Sequence, residues 1–430
     1  MDRFTIIISI LFLSFICQAQ SGSVNAIAFN GGTAHLGNGE KIEDAQIVIH
    51  RGSILFVGKN GSFDVERENK LNDSFFAETI NTEGKHIYPG FIGLNTIAGL
   101  NEIDALRQTR DYNEVGSLNP HVRSCIAYNT DSEILPTLSA NGILSVEASP
   151  RGGRISGKSS LMRTKAWNWE DALIAEDIGI HMNWPNQFNQ KGWWANPGGI
   201  EANEKYDEQV NEIYKYFKEA RAYVQLKQPE TENLRFEAMR PLFEGEHKLF
   251  VHVNSARTIL EVLEFKKEFK LNLVLVEAKE AWRIADLIAE SATPVVLGNL
   301  HSLPEYRSDD VDQVYRNATI LQDAGVFFAL SLAGSWEVRN LPFIAGTAVA
   351  YGLDYESAIA AISGNAAKIS GVDNLGILAQ GNRATLLISN GDVLEMKEST
   401  IEMAFIDGEK IDLENRHTAL SKKFRTKYKK

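Results

Sequence analysis

The hydrophobic rhythm of the chain changes three times along its length. Residues 4–16 form an apolar run interrupted only by Thr5, Ser9 and Ser14, with Arg3 ahead of it and Cys17-Gln18-Ala19 behind. A basic start, a short apolar stretch and small residues at a cut site describe an export signal, expected to be removed ahead of Gln20. The run falls short of the roughly 20 residues a spanning helix needs, so no transmembrane segment is expected after cleavage; a retained N-terminal anchor is the alternative. Residues 24–29, 46–50 and 53–57 then read as short strands, parted by turn residues at Gly31-Gly32 and Arg51-Gly52.

From residue 92 the texture becomes short apolar runs, at 142–146, 249–253, 271–276, 293–297 and 326–330, separated by longer stretches. One of these stretches, 256–265, places Ile259, Leu260 and Leu263 at the spacing of a helix face. Apolar strands alternating with helices predict a parallel sheet with crossovers. Their number and length fit an α/β fold of the (β/α)8 barrel type, typically about 250 residues; a doubly wound open sheet is the alternative. Strand texture returns at 384–388 and 401–406, before a turn at Asp407-Gly408. The two β-rich ends are expected to join in one small composite β-sandwich. The predicted organisation is a signal at 1–19, a sandwich from 20–88 and 376–415, a TIM-like barrel at 89–375 and a basic tail at 416–430.

Composition narrows the function. Removing 19 of 430 residues leaves 411, and 44% of the full chain is hydrophobic, enough for a large core. Cys125 is then the only cysteine, so an exported chain would fold without an internal disulfide. A net charge of −12 argues against nucleic acid as a partner. The tail from Arg416 to Lys430 is the local exception, with seven Lys or Arg and no acid. Its plain reading is a solvated, frayed terminus, and its sharper one a contact with an anionic surface. The expected location is the periplasm or the extracellular space.

The stretch Tyr88-Pro89-Gly90-Phe91-Ile92-Gly93-Leu94-Asn95-Thr96-Ile97 resembles the first barrel strand of the amidohydrolase superfamily, closest to its imidazolonepropionase-like branch. Gly84-Lys85-His86-Ile87 leads into it as that family's entry does. Gly371, Gly376-Ile377, Gly381 and Ala384-Thr385-Leu386 fall where the family writes its exit from the barrel. The resemblance covers nearly all of the mature chain. It implies hydrolysis of carbon–nitrogen bonds other than ordinary peptide bonds, such as cyclic amides, or of terminal peptide bonds. It also implies one or two metal ions, zinc among them, held by His-x-His after strand one, a mid-barrel Lys or Glu, His after strands five and six, and Asp after strand eight.

This sequence departs from that ligand set. Gly93 stands at the family's Asp, Asn95 and Ile97 at the two His of the clamp, Ala278 at the strand-six His and Ala333 near the strand-eight Asp. His252 is the one family ligand present, and zinc wants three protein ligands and a water. Whether any metal binds therefore stays open, with zinc and no cofactor as the two readings. His252 with Glu277 is the candidate catalytic pair. Asn95, Thr96, Glu147, Arg154, His181, His301 and Ser331 are candidate ligand-binding residues, because polar groups at strand ends converge on one barrel mouth. They fit a small-molecule ligand. The alternative function is a catalytically silent ligand-binding protein, or the partner subunit of an active paralogue in a homo- or hetero-oligomer.

Two other signals carry less. Gly152-Gly153-Arg154-Ile155-Ser156-Gly157-Lys158-Ser159 matches the P-loop pattern, yet no helical pattern follows where a phosphate-holding helix must begin. It reads as a Gly-rich loop after strand two, with Arg151, Arg154 and Lys158 near the mouth as cations for a carboxylate or phosphate. Five of the seven tryptophans lie between Trp167 and Trp194. They are expected to pack a lid or subunit contact, with an aromatic-lined cleft as the alternative.

Overall fold

The computed structural model describes residues 25–71, 76–191, 199–226 and 229–428. The expected signal and Trp193-Trp194 lie outside them.

Both chain ends enter one eight-stranded sheet. Asn25–His35 pairs with Lys41–His50, which pairs with Ser53–Lys59, while Leu386–Ser389 lies antiparallel to His86–Pro89 and beside Ile401–Ile406. Three strand steps separate Phe29 from Phe405, about 14 Å on a flat sheet. Their rings nevertheless meet at 5.3 Å, so the sheet curls over a core that includes Ile47, Ile54, Ile87 and Leu386. A bridge from Ser53, on an edge strand, to Arg383, just ahead of Leu386–Ser389, holds the curl.

The second eight-stranded sheet is the barrel. In order its strands are Phe91–Thr96, Ile143–Ala148, Ile155–Arg163, Leu173–Asn183, Lys248–Val253, Leu273–Glu277, Val295–Leu297 and Phe328–Leu330. A bridge from Leu94 to Ser331 joins the last strand to the first. Strand three is antiparallel to both neighbours. Only residues 149–154 link strands two and three, whereas a parallel link needs a crossover of about a dozen or more. Strands four to eight are parallel, with Tyr206–Val224, Ala256–Phe269 and Gln313–Asp323 among the crossover helices.

Ile92, Leu94, Leu161, Phe250, Val276 and Ala329 come from five different barrel strands yet form one buried cluster, which only the barrel interior allows. Helix Gly364–Ser370 packs into the same cluster from the side where strands begin, with Asn365 bonded to the Phe328 carbonyl. That end is plugged with apolar side chains. Polar groups are left for the other end.

The basic tail is not frayed over its described length. Arg416–Tyr428 is a helix, started by Asn415, whose side-chain oxygen accepts from the backbone of His417 and Thr418, and anchored where His417 stacks on Trp336. Of the described tryptophans in this stretch, Trp167 is 89% exposed and Trp184 is buried against Phe265.

Candidate functional site at the barrel mouth

Strand two carries Glu147 into the closed interior, where it has no solvent exposure. A buried carboxylate must be fully hydrogen-bonded to remain charged. Glu147 accepts from the backbone N–H of Asn95 at 2.8 Å, the Ser159 hydroxyl at 2.7 Å and Nε2 of His181 at 3.0 Å. Burial pushes this carboxyl upward, but His181, the Asn95 backbone and Ser159 outweigh it and hold it below the usual range. Strands one to four thus converge on one charge.

His181 continues the chain of bonds. Its ring lies flat on Phe250, centroids 4.8 Å apart and nearly parallel, at the top of the apolar filling. Its Nδ1 is 2.9 Å from Nε2 of His252 on strand five. An ionised carboxylate only accepts, so Nε2 of His181 bears a proton. With both rings neutral, Nδ1 of His181 accepts from Nε2–H of His252, and Nδ1 of His252 is left as a lone pair. Burial first, then the Arg151 guanidinium and His181, keep His252 well below its ordinary value, hence uncharged at neutral pH.

Arg151 follows strand two and reaches across to strand one, donating to Oδ1 of Asn95 at 2.5 Å and to its backbone carbonyl at 2.6 Å. Burial works against its charge, and the carboxylates of Glu277 and then Glu147 work for it. Because guanidinium groups only donate, the Asn95 amide has one orientation. Its Nδ2 is buried and has no partner among the described residues, a state that costs about 1–3 kcal/mol. The left-handed backbone of Asn95, φ +52°, turns both of its oxygens toward Arg151. Left-handed φ values recur at Glu277 (+70°) and Ala278 (+44°) at the end of strand six. Such conformations cost free energy and concentrate at functional sites. Glu277 accepts from Asn254 at 3.1 Å.

Of the residues expected to line the mouth, Asn95, Glu147, His181 and His252 are brought into one hydrogen-bonded chain, with Glu277 charge-coupled to it through Arg151. The others stand apart from it. Thr96 and Ser331 spend their hydroxyls on backbone near the barrel seam. Arg154 bonds the Asn183 carbonyl, and His301 is on an exposed loop, bonded to Thr347. Lys158 is paired with Asp177, and the P-loop match runs through strand three. Ser159, a further partner in the chain, was hidden inside that match.

The family's metal set meets a different environment. A Cβ on Gly93 would sit 2.6 Å from Val338, so a carboxylate cannot stand there without displacing that side chain. Nε2 of His252 is engaged by His181. A fixed cation, Arg151, is already bonded to the residue at the first clamp position. Among the described residues no three His, Cys, Asp or Glu side chains group as metal ligands. The residues at these positions differ from the ligand set that the resemblance implies.

No protein-family model and no curated protein sequence matches the chain. Solved structures do match. An amidohydrolase from Thermotoga maritima superposes with a TM-score of 0.75 at 23% identity, covering 90% of this chain and 99% of that one. Molinate hydrolase gives 0.54 at 14% identity over 91% and 95%. A β-aspartyl dipeptidase from Fervidobacterium islandicum gives 0.51 at 11% over 90% and 96%. The likeness spans the curled sheet and the barrel alike.

Proposed function

From the premise that this chain carries the amidohydrolase superfamily's fold, we propose that it hydrolyses carbon–nitrogen bonds of small amides, cyclic amides among them, by acid–base chemistry without a metal. The observation that carries this reading is the Glu147–His181–His252 chain, ending in a ring nitrogen with a free lone pair. The structural neighbours are amidohydrolases that act on such bonds, which supports the reaction class.

In this mechanism Nδ1 of His252 removes a proton from water as the water oxygen attacks the carbonyl carbon. The π pair moves to the carbonyl oxygen. The Nε2 proton of His252 can shift to Nδ1 of His181, placing the positive charge against Glu147, where it is best stabilised. Collapse of the tetrahedral intermediate breaks the C–N bond, and the leaving nitrogen takes the proton back from His252. General acid–base catalysis of this kind contributes about 10²–10⁴-fold.

The test is amine release by the full chain from a panel of lactams, hydantoins and N-acyl amino acids, before and after dialysis against chelator. Turnover is expected in both preparations, undiminished by chelation. Activity that appears only with added zinc would overturn the metal-free mechanism. Binding without turnover throughout would point instead to a silent ligand-binding or partner-subunit role.

We also place the working protein outside the cytoplasm, on the strength of the apolar run at 4–16 and the small residues after it. Intact-mass measurement of the protein from its native host is expected to show residues 1–19 removed. A full-length mass from a soluble fraction would refute export by this signal.

A further inference from the structure

We infer that Asn95 and Arg151 form a receptor for the carbonyl oxygen of the substrate, taking over the charge-stabilising task a metal performs elsewhere. The inference rests on the hydrolytic reading above and names the groups that meet the oxygen. Hydrolysis moves an electron pair onto that oxygen, and catalysis needs fixed donors aimed at it. Nδ2 of Asn95 is a buried N–H donor with no partner among the described residues. Its neighbour Arg151 has five N–H donors, and Nη1 and Nη2 each give one bond to Asn95. Those bonds orient the amide so that its donor end is the free one.

Placement supports the same use. The Asn95 backbone N–H binds Glu147, the root of the His181–His252 chain, so receptor and base are built on one hydrogen-bonded frame. Arg151 also lies close enough to His252 to depress its basicity. Arg151 and His252 are half-buried, and the Asn95 donor beside them is buried. A purely structural asparagine would use both ends of its amide. This one uses only its oxygen.

The experiment uses the full chain and two plain oxyanions, acetate and inorganic phosphate, as probes, titrated at constant ionic strength. The histidine ring nitrogens are followed by NMR. Saturable shifts at His252 are expected. Asn95→Asp, which keeps the bond to Arg151 but replaces the free donor with an acceptor, is expected to weaken binding about tenfold or more, the factor one charge-assisted hydrogen bond supplies. Arg151→Lys, which keeps the charge and removes the planar fork, should also weaken it, and thermal melts establish that both variants fold. No saturable shift, or wild-type affinity in Asn95→Asp, overturns the receptor. The unliganded spectra test the relay separately, through scalar coupling across the His181–His252 hydrogen bond. That coupling, seen without oxyanion binding, would overturn only this inference.

Discussion

Glu147→Leu is expected to destabilise the fold by several kcal/mol, about 1–3 kcal/mol for each buried donor left without an acceptor. The change strands the Asn95 backbone N–H, the Ser159 hydroxyl and the proton on His181, none of which reaches water inside the barrel. Glu147→Gln should cost less, since its amide oxygen still accepts, but its NH2 group meets donors. The pH dependence has a definite sign. The folded carboxyl titrates below its ordinary value, so the charged form stabilises the protein above the unfolded value of about 4.3. That contribution is lost as pH falls through the lower, folded value. Chemical denaturation at pH 7 and pH 3 measures it: the gap between wild type and Glu147→Gln should narrow at the lower pH. An equal gap at both would mean that Glu147 is not charged in the barrel.

The second large effect is on turnover. His252→Gln removes the base and is expected to lower kcat by about 10²–10⁴-fold, with the melting temperature little changed because this half-buried ring ends the chain rather than bridging it. The wild-type rate should fall on the acid side only, as pH drops through the depressed value of His252. Arg151→Gln takes away a positive neighbour, so His252 becomes easier to protonate and the acid limb moves to higher pH. The profile of kcat/KM against pH for the two proteins decides this. An unmoved limb in Arg151→Gln, or full turnover in His252→Gln, would remove His252 from the mechanism.

Much of the fold was legible because strand and helix periodicities are local properties. The runs at 249–253 and 401–406 fall within or on observed strands, and 256–265 lies in helix Ala256–Phe269. The antiparallel third strand was not legible. Residues 155–163 mix Ser, Gly and Lys with apolar positions, and the motif match to a phosphate loop obscured a nine-residue strand. For the site, sequence position identified His181 and His252 as strand-end candidates but not as partners, since they are 71 residues apart. Arg151 was one of three cations after strand two, and nothing local marks it as the one facing Asn95.

The sequence by itself determined the composition of the barrel walls, the recurrence of β structure at both ends and the absence of the His-x-His clamp at Asn95 and Ile97. These depend on residue type and spacing along the chain. Only the tertiary structure decided that Glu147, His181 and His252 form one proton path while His301, Ser331 and Thr96 do not join it. Strand alternation and barrel curvature set which side chains share the interior. Hydrogen bonding within about 3 Å is a property of that shared space and has no counterpart in the linear order of residues.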